Sequence, residues 1–341
     1  MRLDLQTSSS MSPYDLDRRE FLKRALGAGL VVGTSGLAAC AKAASSSAPA
    51  PAPSAPPAPS VGVRGRVGQL ETLTIRHSSG SAATLALQGA HVTSWRRANG
   101  EEMLFVSESS PYVPLEPIRG GIPVIFPQFG NRGPLPQHGF LKTASWEVVE
   151  VGRDPKAAAF ALLRTRDTDA TRALWPHPFR ATLRVTLDDG LATAITIENT
   201  GDAPFSFECG FHTYHRVGDL RQVTIRGVER ARYQDHVAKD VVKTEVRSPL
   251  RVRGEVDRVY LRRPDRIFIR DESRDRTLIV DRAGFGDVVI WNPGEAKART
   301  SIGLADGEYL TMLCVEPAQI DPPVQLAPGS LWSGVQRVHI A

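Results

Sequence analysis

The stretch Phe205–Asp219, FSFECGFHTYHRVGD, decides the fold, because apolar and polar residues alternate over most of its length. Such alternation is typical of a β-strand, whose successive side chains point to opposite faces of a sheet. His212 and Tyr214 then share one face, whereas Phe211 and His215 share the other. Two histidines that point apart cannot converge on one metal ion. The stretch predicts a strand that either presents His212 to a cleft as a proton carrier or buries it as a hydrogen-bonded core residue.

Short alternating runs of the same kind continue from Leu70 to the C-terminus. Examples are ATLRVTL from Ala181 and DVVIW from Asp287, and turn signals such as DDG at 188–190 and NTG at 199–201 separate the runs. No segment of similar length has a convincing period of 3.6 residues, which a helix would need. The sequence therefore predicts an all-β chain that forms one large antiparallel β-sandwich, larger than an immunoglobulin domain.

Composition and charge exclude several classes of protein. With 341 residues and 41% hydrophobic content, the chain can bury a sizeable core. The net charge of +5 is spread through the sequence without a lysine-rich run, so we expect no nucleic-acid partner. The three cysteines have neither zinc-ligand nor redox spacing, so we expect no metal and no disulfide framework. We expect the protein to be a monomer.

The first 40 residues resemble an export signal. Arg18 and Arg19 precede a weakly apolar stretch that is too short and too rich in glycine and alanine to span a bilayer. The arginine pair is similar to the twin-arginine signal, which exports proteins that have already folded. The stretch ends in LAAC, which resembles a lipoprotein signal-peptidase box. Residues 1–40 are thus predicted to be a twin-arginine-type lipoprotein signal peptide with Cys40 lipidated; a chance cysteine after a generic signal is the alternative.

Residues 41–64 are predicted to form a linker, because they begin with a Pro/Ala/Ser tract that cannot bury enough apolar surface to fold. The folded domain is predicted to span residues 65–341. We expect this domain on the periplasmic face, touching a membrane only through the lipid anchor. Residue 41 is alanine rather than the aspartate that retains bacterial lipoproteins at the inner membrane, so we expect sorting to the outer membrane.

Residues 116–142 form a long stretch rich in glycine, proline and aromatic residues, EPIRGGIPVIFPQFGNRGPLPQHGFLK. A loop this long in a compact domain is typical of a binding loop, with a structural Ω-loop as the alternative. Its polar residues include Arg119, Gln128, Arg132, Gln137 and His138, and the guanidinium of Arg119 is a candidate ligand for an anion or for sugar hydroxyls.

A second candidate group lies near the C-terminus, where an apolar run ends in Glu316 followed by Pro317. In a partly dry cleft the pKa of a glutamate rises toward neutrality, which makes it a usable general base. A surface residue at a strand end is the alternative interpretation. If Glu316 and His212 line one cleft, alternation places Cys314 on their face and Cys209 on the other, so both cysteines are predicted to be free thiols.

Seven motifs together resemble the hexose-6-phosphate 1-epimerases, a branch of the aldose 1-epimerase (galactose mutarotase) superfamily. They occur in order across residues 65–341: GAHVTSW (89–95), PIRGGIPVIFPQFG (117–130), PQHGF (136–140), HTY (212–214), DRVY (257–260), IWNP (290–293) and CVEP (314–317). The resemblance implies a β-supersandwich and the interconversion of α and β anomers of a sugar or sugar phosphate. It implies Glu316 as the base and His212 as the acid, with no cofactor.

The resemblance also implies a set of substrate-binding residues: Arg119, Gln137, His138, Lys142, Asp235 and Trp291. Lys142 stands where the family usually has arginine, and His236 stands where it usually has lysine. Lysine binds phosphate as a point charge without the bidentate fork of arginine, so we expect weaker phosphate specificity.

Two other functions remain open at this stage. The same chemistry on free aldoses is one, and a non-catalytic carbohydrate-binding module is the other. A binding module has no need of both His212 and Glu316, so the acid–base pair distinguishes an enzyme from a module.

Overall fold

The structure is a computed structural model that describes residues 61–262 and 265–341. The predicted signal peptide, Cys40 and most of the predicted linker lie outside the described residues. The first strand begins at Gly62 and overlaps the end of the predicted linker. Among the described residues, no helix has the length and apolar character needed to cross a bilayer.

Strands dominate the described residues and form three antiparallel sheets. The first sheet contains β1 (Gly62–Val67), β2 (Leu70–Arg76), β3 (Ala82–Ala86) and β4 (His91–Arg96), in that order. The second sheet contains, from edge to edge, β14 (Val241–Thr244), β13 (Arg232–Asp235), β15 (Val256–Tyr260), β18 (Asp287–Asn292), β19 (Met312–Leu326), β10 (Phe205–Phe211) and β5 (Val124–Ile125). A short strand, β11 (Tyr214–Arg216), also pairs with β19.

The third sheet contains β12 (Val223–Arg226), β16 (Arg266–Asp271), β17 (Arg276–Ala283), β20 (Leu331–Ile340), β9 (Leu191–Asn199), β8 (Phe179–Leu187), β7 (Ala159–Arg166) and β6 (Glu147–Arg153), in that order. Two short α-helices, α1 (Asp169–Leu174) and α2 (Gly294–Lys297), lie in connections. The predicted all-β antiparallel sandwich is therefore confirmed.

Both predicted turn signals join or end strands in the third sheet. The DDG segment at 188–190 connects β8 to β9, and the carboxylate of Asp188 accepts a hydrogen bond from Gly190 N at 2.8 Å. Asn199 ends β9, and its side-chain oxygen accepts from Gly201 N at 3.0 Å. These side chains bond their own backbone two residues on, which is why Asp and Asn favour such turns.

The large core cluster contains residues from all three sheets, and alternation along β19 divides the residues of that strand between two environments. Leu313 and Val315 belong to the large core cluster, whereas Cys314 lies in a separate cluster with Trp291. We call the side of the second sheet that carries Leu313 and Val315 the core face. The side that carries Cys314 and Glu316 is the site face.

Candidate active site

The strand register brings His212 and Glu316 together. β10 pairs with β19 at Gly210↔Ala318, and β11 pairs with the same strand at Tyr214↔Cys314. The same register, continued between these two pairs, sets His212 opposite Glu316. Directly opposed residues of an antiparallel pair share a face and contact one another. Their side chains meet on the site face, with 3.3 Å between His212 Nδ1 and Glu316 Oε1.

The predicted strand around His212 is interrupted rather than continuous. β10 ends at Phe211 and β11 begins at Tyr214. The backbone N–H of His212 donates to Pro123 O at 3.0 Å, which continues the β10–β5 register by one residue. His215 lies opposite Leu313 and is buried on the core face, away from His212, as alternation predicts.

Burial shifts the proton equilibrium of both members of the pair in ways that favour their uncharged forms. Glu316 is 1% exposed, and burial, followed by the nearby charge of Asp257, raises the pKa of its carboxyl well above the usual value. Burial, followed by His138, lowers the pKa of the His212 imidazole well below its usual value. The uncharged pair and the ion pair hold the same number of protons. One proton transfer between the two side chains therefore interconverts them.

His138 stands beside the pair with a defined tautomer. Its Nδ1 accepts a hydrogen bond from Gly130 N at 3.2 Å, so a neutral ring carries its proton on Nε2. Burial and the charge of Lys142 lower the pKa of His138 to about 4, which keeps the ring neutral at physiological pH. The His138 and His212 rings meet edge to face at 5.2 Å. His138 can therefore donate from Nε2 to a sugar oxygen while the pair exchanges protons.

Aromatic side chains form one wall of the site. Tyr214 stacks on His212 with ring centroids 4.6 Å apart and planes within 9°. Trp291, which the resemblance implied as a substrate-binding residue, lies on the site face and meets the same histidine edge to face at 5.5 Å. These contacts fix the His212 ring and give the site an apolar surface of the kind that packs against a sugar.

Two of the predicted cations flank the pair. The Lys142 ammonium donates to the carbonyl of Gln137, and its charge lowers the pKa of both His138 and His212. The Gln137 side chain is exposed. Arg119 is half-buried on the Tyr214 side of the site, where its charge opposes the rise in the pKa of the Tyr214 hydroxyl that burial causes.

The two glycines after Arg119 let the loop approach the sheet. Gly120 and Gly121 have positive φ values of 124° and 66°, and a Cβ on Gly120 would lie 2.3 Å from Phe105 O. The Nε2 atom of His91, on β4, makes a hydrogen bond with Gly120 O at 2.6 Å. The backbone that carries Arg119 is therefore held by a contact that any larger residue would disrupt.

Asp235 does not join the other predicted binding residues. It pairs with Arg258 in the β13–β15 register, so its side chain belongs to the face opposite Asp257 and Trp291. Its carboxylate is bonded by Lys243 Nζ at 2.8 Å and by Ala238 N at 3.2 Å. Alternation places the Asp235 side chain on the core face, where it forms an ion pair with Lys243. Asp235 is therefore not at the site, contrary to what the family resemblance implied.

Asp257 is the site aspartate that the sequence reasoning missed. It pairs with Trp291 on the site face, and its charge raises the pKa of Glu316 and of His138. His236 Nδ1 contacts its carboxylate at 3.0 Å, and this hydrogen bond is the main cause of the raised pKa of His236. The DRVY motif pointed to this strand, but the β15–β18 register, which sets Asp257 opposite Trp291, was needed to identify the residue.

The predicted free thiols are confirmed among the described residues. Cys209 and Cys314 are both free and buried. Cys209 belongs to the large core cluster, and Cys314 belongs to the site-face cluster with Trp291. Burial raises the pKa of each thiol, which makes both poor nucleophiles.

A surface cavity of about 630 Å³ lies away from this constellation, along β6, β7 and β8. Its arginines are largely neutralised, since Arg164 pairs with Glu147 at 3.4 Å and Arg180 pairs with Glu198 at 2.8 Å. None of the acid–base residues lines it. We therefore assign the chemistry to the site face of the second sheet.

Comparison with known proteins agrees with the fold and the motifs. A candidate glucose-6-phosphate 1-epimerase of Cenchrus ciliaris is 38% identical over 273 residues, which cover 78% of this chain and 83% of that protein. A candidate of the same name from Escherichia coli is 34% identical over 259 residues, covering 75% and 85%. The crystal structure of a candidate mutarotase from Salmonella typhimurium superposes with a TM-score of 0.76 at 28% identity, covering 82% of this chain and 94% of that one.

The family model for aldose 1-epimerase matches residues 71–339, which is most of the described part of the chain. The match spans the strands that carry His212 and Glu316 as well as the loop that carries Arg119 and His138. On this match and on the identity to its relatives, the chain belongs to the aldose 1-epimerase family.

Proposed function

We propose that this protein interconverts the α and β anomers of hexose 6-phosphates. The observation that carries the proposal is the pairing of His212 with Glu316, whose Nδ1 and Oε1 atoms lie 3.3 Å apart in a buried site. Ring opening removes a proton from the anomeric hydroxyl and adds one to the ring oxygen, so it needs one base and one acid. The names of the curated relatives support the choice of a hexose phosphate as substrate.

The reaction begins from the ion-pair form of the two catalytic residues. A proton moves from Glu316 to His212, which leaves a carboxylate and an imidazolium. The carboxylate removes the anomeric proton while the imidazolium donates to the ring oxygen, and the bond between that oxygen and C1 breaks. Rotation about the C1–C2 bond turns the other face of the aldehyde to the ring hydroxyl. The reverse transfers close the ring on that face and restore both residues.

The neighbouring side chains hold the sugar during these transfers. His138 donates from Nε2, Asp257 accepts from sugar hydroxyls, and Trp291 packs on the apolar side of the ring. Lys142 and Arg119 attract the phosphate, and Lys142 does so as a point charge. We therefore propose a modest preference for the phosphorylated sugar, no more than about a hundredfold in kcat/KM, which is on the order of 2–3 kcal/mol.

The direct test is anomer-exchange NMR on residues 61–341 with glucose and glucose 6-phosphate side by side. The proposal predicts exchange for both substrates, faster for the phosphate. Exchange of glucose alone would identify an enzyme for free aldoses. Binding of either sugar without exchange would identify a carbohydrate-binding module.

We also propose that the protein is exported and tethered by a lipid on Cys40, at the outer membrane, and that it acts as a monomer. The arginine pair Arg18-Arg19 and the LAAC sequence support export and lipidation. The assembly of the His212, His138 and Trp291 contacts within one chain supports a monomer. Cell fractionation of the full chain and of Cys40→Ala tests the tether, since the variant should leave the membrane fraction. Light scattering of the purified chain tests the monomer.

A further inference from the structure

Three potential metal ligands lie close together on the site face. The proposed reaction uses two of them as acid and base but does not use the three as a metal site. His212, Cys314 and Glu316 each offer one ligand atom, and these atoms all lie within 4.8 Å of one another. The spacing of the cysteines and the divergence of His212 and His215 predict no metal. In the structure, however, Cys314 shares the face of Glu316 through its parity on β19 and lies close to both His212 and Glu316.

The polar atoms of this cluster are incompletely satisfied. His212 Nδ1 lies 3.3 Å from Glu316 Oε1 but makes no hydrogen bond to it, and neither this nitrogen nor Glu316 Oε2 has a hydrogen-bond partner in the described part of the chain. Glu316 is 1% exposed and Cys314 is fully buried, so bulk water cannot supply the missing hydrogen bonds of these side chains. Buried polar atoms without partners are uncommon in folded proteins, and a bound ion is one way in which such atoms are satisfied.

The ligand types and spacing fit a tetrahedral divalent cation. Zinc binds cysteine sulfur at about 2.3 Å and histidine nitrogen or carboxylate oxygen at about 2.0–2.2 Å, which separates the ligands by about 3.3–3.7 Å. The His212–Glu316 separation of 3.3 Å already meets this value. Cys314 lies beside them, so side-chain adjustments of an ångström or so complete a three-ligand site. The fourth tetrahedral position is left for water.

We propose that His212, Cys314 and Glu316 form a binding site for Zn²⁺ and similar thiophilic cations, and that occupancy inhibits anomer exchange. Binding releases the Cys314 thiol proton, and any proton on Glu316, to solvent, and no electron is transferred. The cation occupies the lone pairs through which the acid and the base act. The binding half of the proposal is independent of the proposed function, whereas the inhibition half rests on it.

Cys209 provides a matched control, because it is a second buried thiol on the opposite face of the same sheet. The probe is Co²⁺, which replaces zinc and gives a near-ultraviolet charge-transfer band only when a thiolate is a ligand. Titration of the metal-free full chain with Co²⁺ should give this band in the wild type and in Cys209→Ala. It should be lost in Cys314→Ala, with at least a tenfold weaker affinity for Zn²⁺. Cys314→Ser serves as a second variant if the alanine variant unfolds.

Anomer exchange provides the second readout, expressed relative to the metal-free rate of each variant. Zn²⁺ should inhibit the wild type and Cys209→Ala at concentrations at least tenfold lower than those that inhibit Cys314→Ala. A cobalt complex without a thiolate band, or equal zinc affinity in the two alanine variants, would overturn the site. Exchange that persists with zinc bound at Cys314 would overturn the inhibition. Absence of exchange in the metal-free wild type would overturn the proposed function, and the cobalt result would stand.

Discussion

The two faces of the second sheet are built from alternate residues of the same strands, yet the buried carboxylates on the two faces have different hydrogen-bond partners. On the core face, Arg258 and Tyr260 each bond the Glu245 carboxylate at 2.8 Å, which compensates the buried charge. On the site face, His212 and Glu316 keep buried polar atoms without partners among the described residues. Alternation thus gives one face a buried carboxylate that is paired for stability and the other face an acid–base pair whose lone pairs remain free for chemistry.

Removal of the base should have the largest effect on catalysis. Glu316→Gln keeps the side-chain volume but leaves no carboxylate, so anomer exchange should fall by about 10²–10⁴-fold. The fold should survive, because the neutral amide has nearly the same shape as the protonated carboxyl that burial favours. Exchange rates and thermal unfolding measured on the same preparation separate the two effects. Near-normal exchange would remove Glu316 from the mechanism.

A histidine on each face allows a matched test of the acid. His212→Asn should lower exchange by about 10²–10⁴-fold, since it removes the proton carrier beside Glu316. His215→Asn changes another buried ring, on the core face, and should alter stability rather than kcat. If both variants lose exchange equally while folded, the division of function between the faces is wrong.

Asp257 and Asp235 lie on opposite faces, so they provide a second test of the division of function between the faces. Asp257→Asn should lower kcat/KM by about tenfold, because its carboxylate lies on the site face and is expected to hold a sugar hydroxyl. Asp235→Asn should instead weaken the contact with Lys243 and leave kcat/KM nearly unchanged. Equal losses of kcat/KM would return Asp235 to the site.

The smallest effect on catalysis concerns phosphate selectivity. Lys142→Arg should increase the preference for glucose 6-phosphate over glucose several-fold, because guanidinium makes paired hydrogen bonds to phosphate. Measurement of kcat/KM for both sugars at low and high salt tests this. In the wild type, a salt-insensitive preference of several thousandfold would contradict the point-charge interpretation of Lys142.

Alternation in the sequence was enough to predict the sandwich, the shared face of His212 and Tyr214, and the opposite faces of the two thiols. It could not predict the break at His212, because the residues that pair with this part of the chain, such as Pro123, come from distant segments. The assignment of Asp235 came from resemblance alone. Parity between β13 and β15 decides that residue's face, and the sequence does not contain this register.

Buried neutral histidines also make a prediction about stability. The pKa values of His91, His138 and His215 are lowered from 6.5 to about 4. The unfolded chain therefore binds more protons than the folded chain between these values, so stability falls as pH decreases from 6.5 toward 4. Each histidine contributes roughly 1.4 kcal/mol per pH unit within that window. Denaturant unfolding across this range measures the slope, and a flat profile would contradict the burial of these rings.

The most direct test of the central claim is the anomer-exchange rate of glucose 6-phosphate, measured by NMR for the wild type, Glu316→Gln and His215→Asn under identical conditions. The pairing of His212 with Glu316 on the site face predicts fast exchange in the wild type, a loss of about 10²–10⁴-fold in Glu316→Gln and little loss in folded His215→Asn. Exchange in Glu316→Gln within a few-fold of the wild type would contradict it.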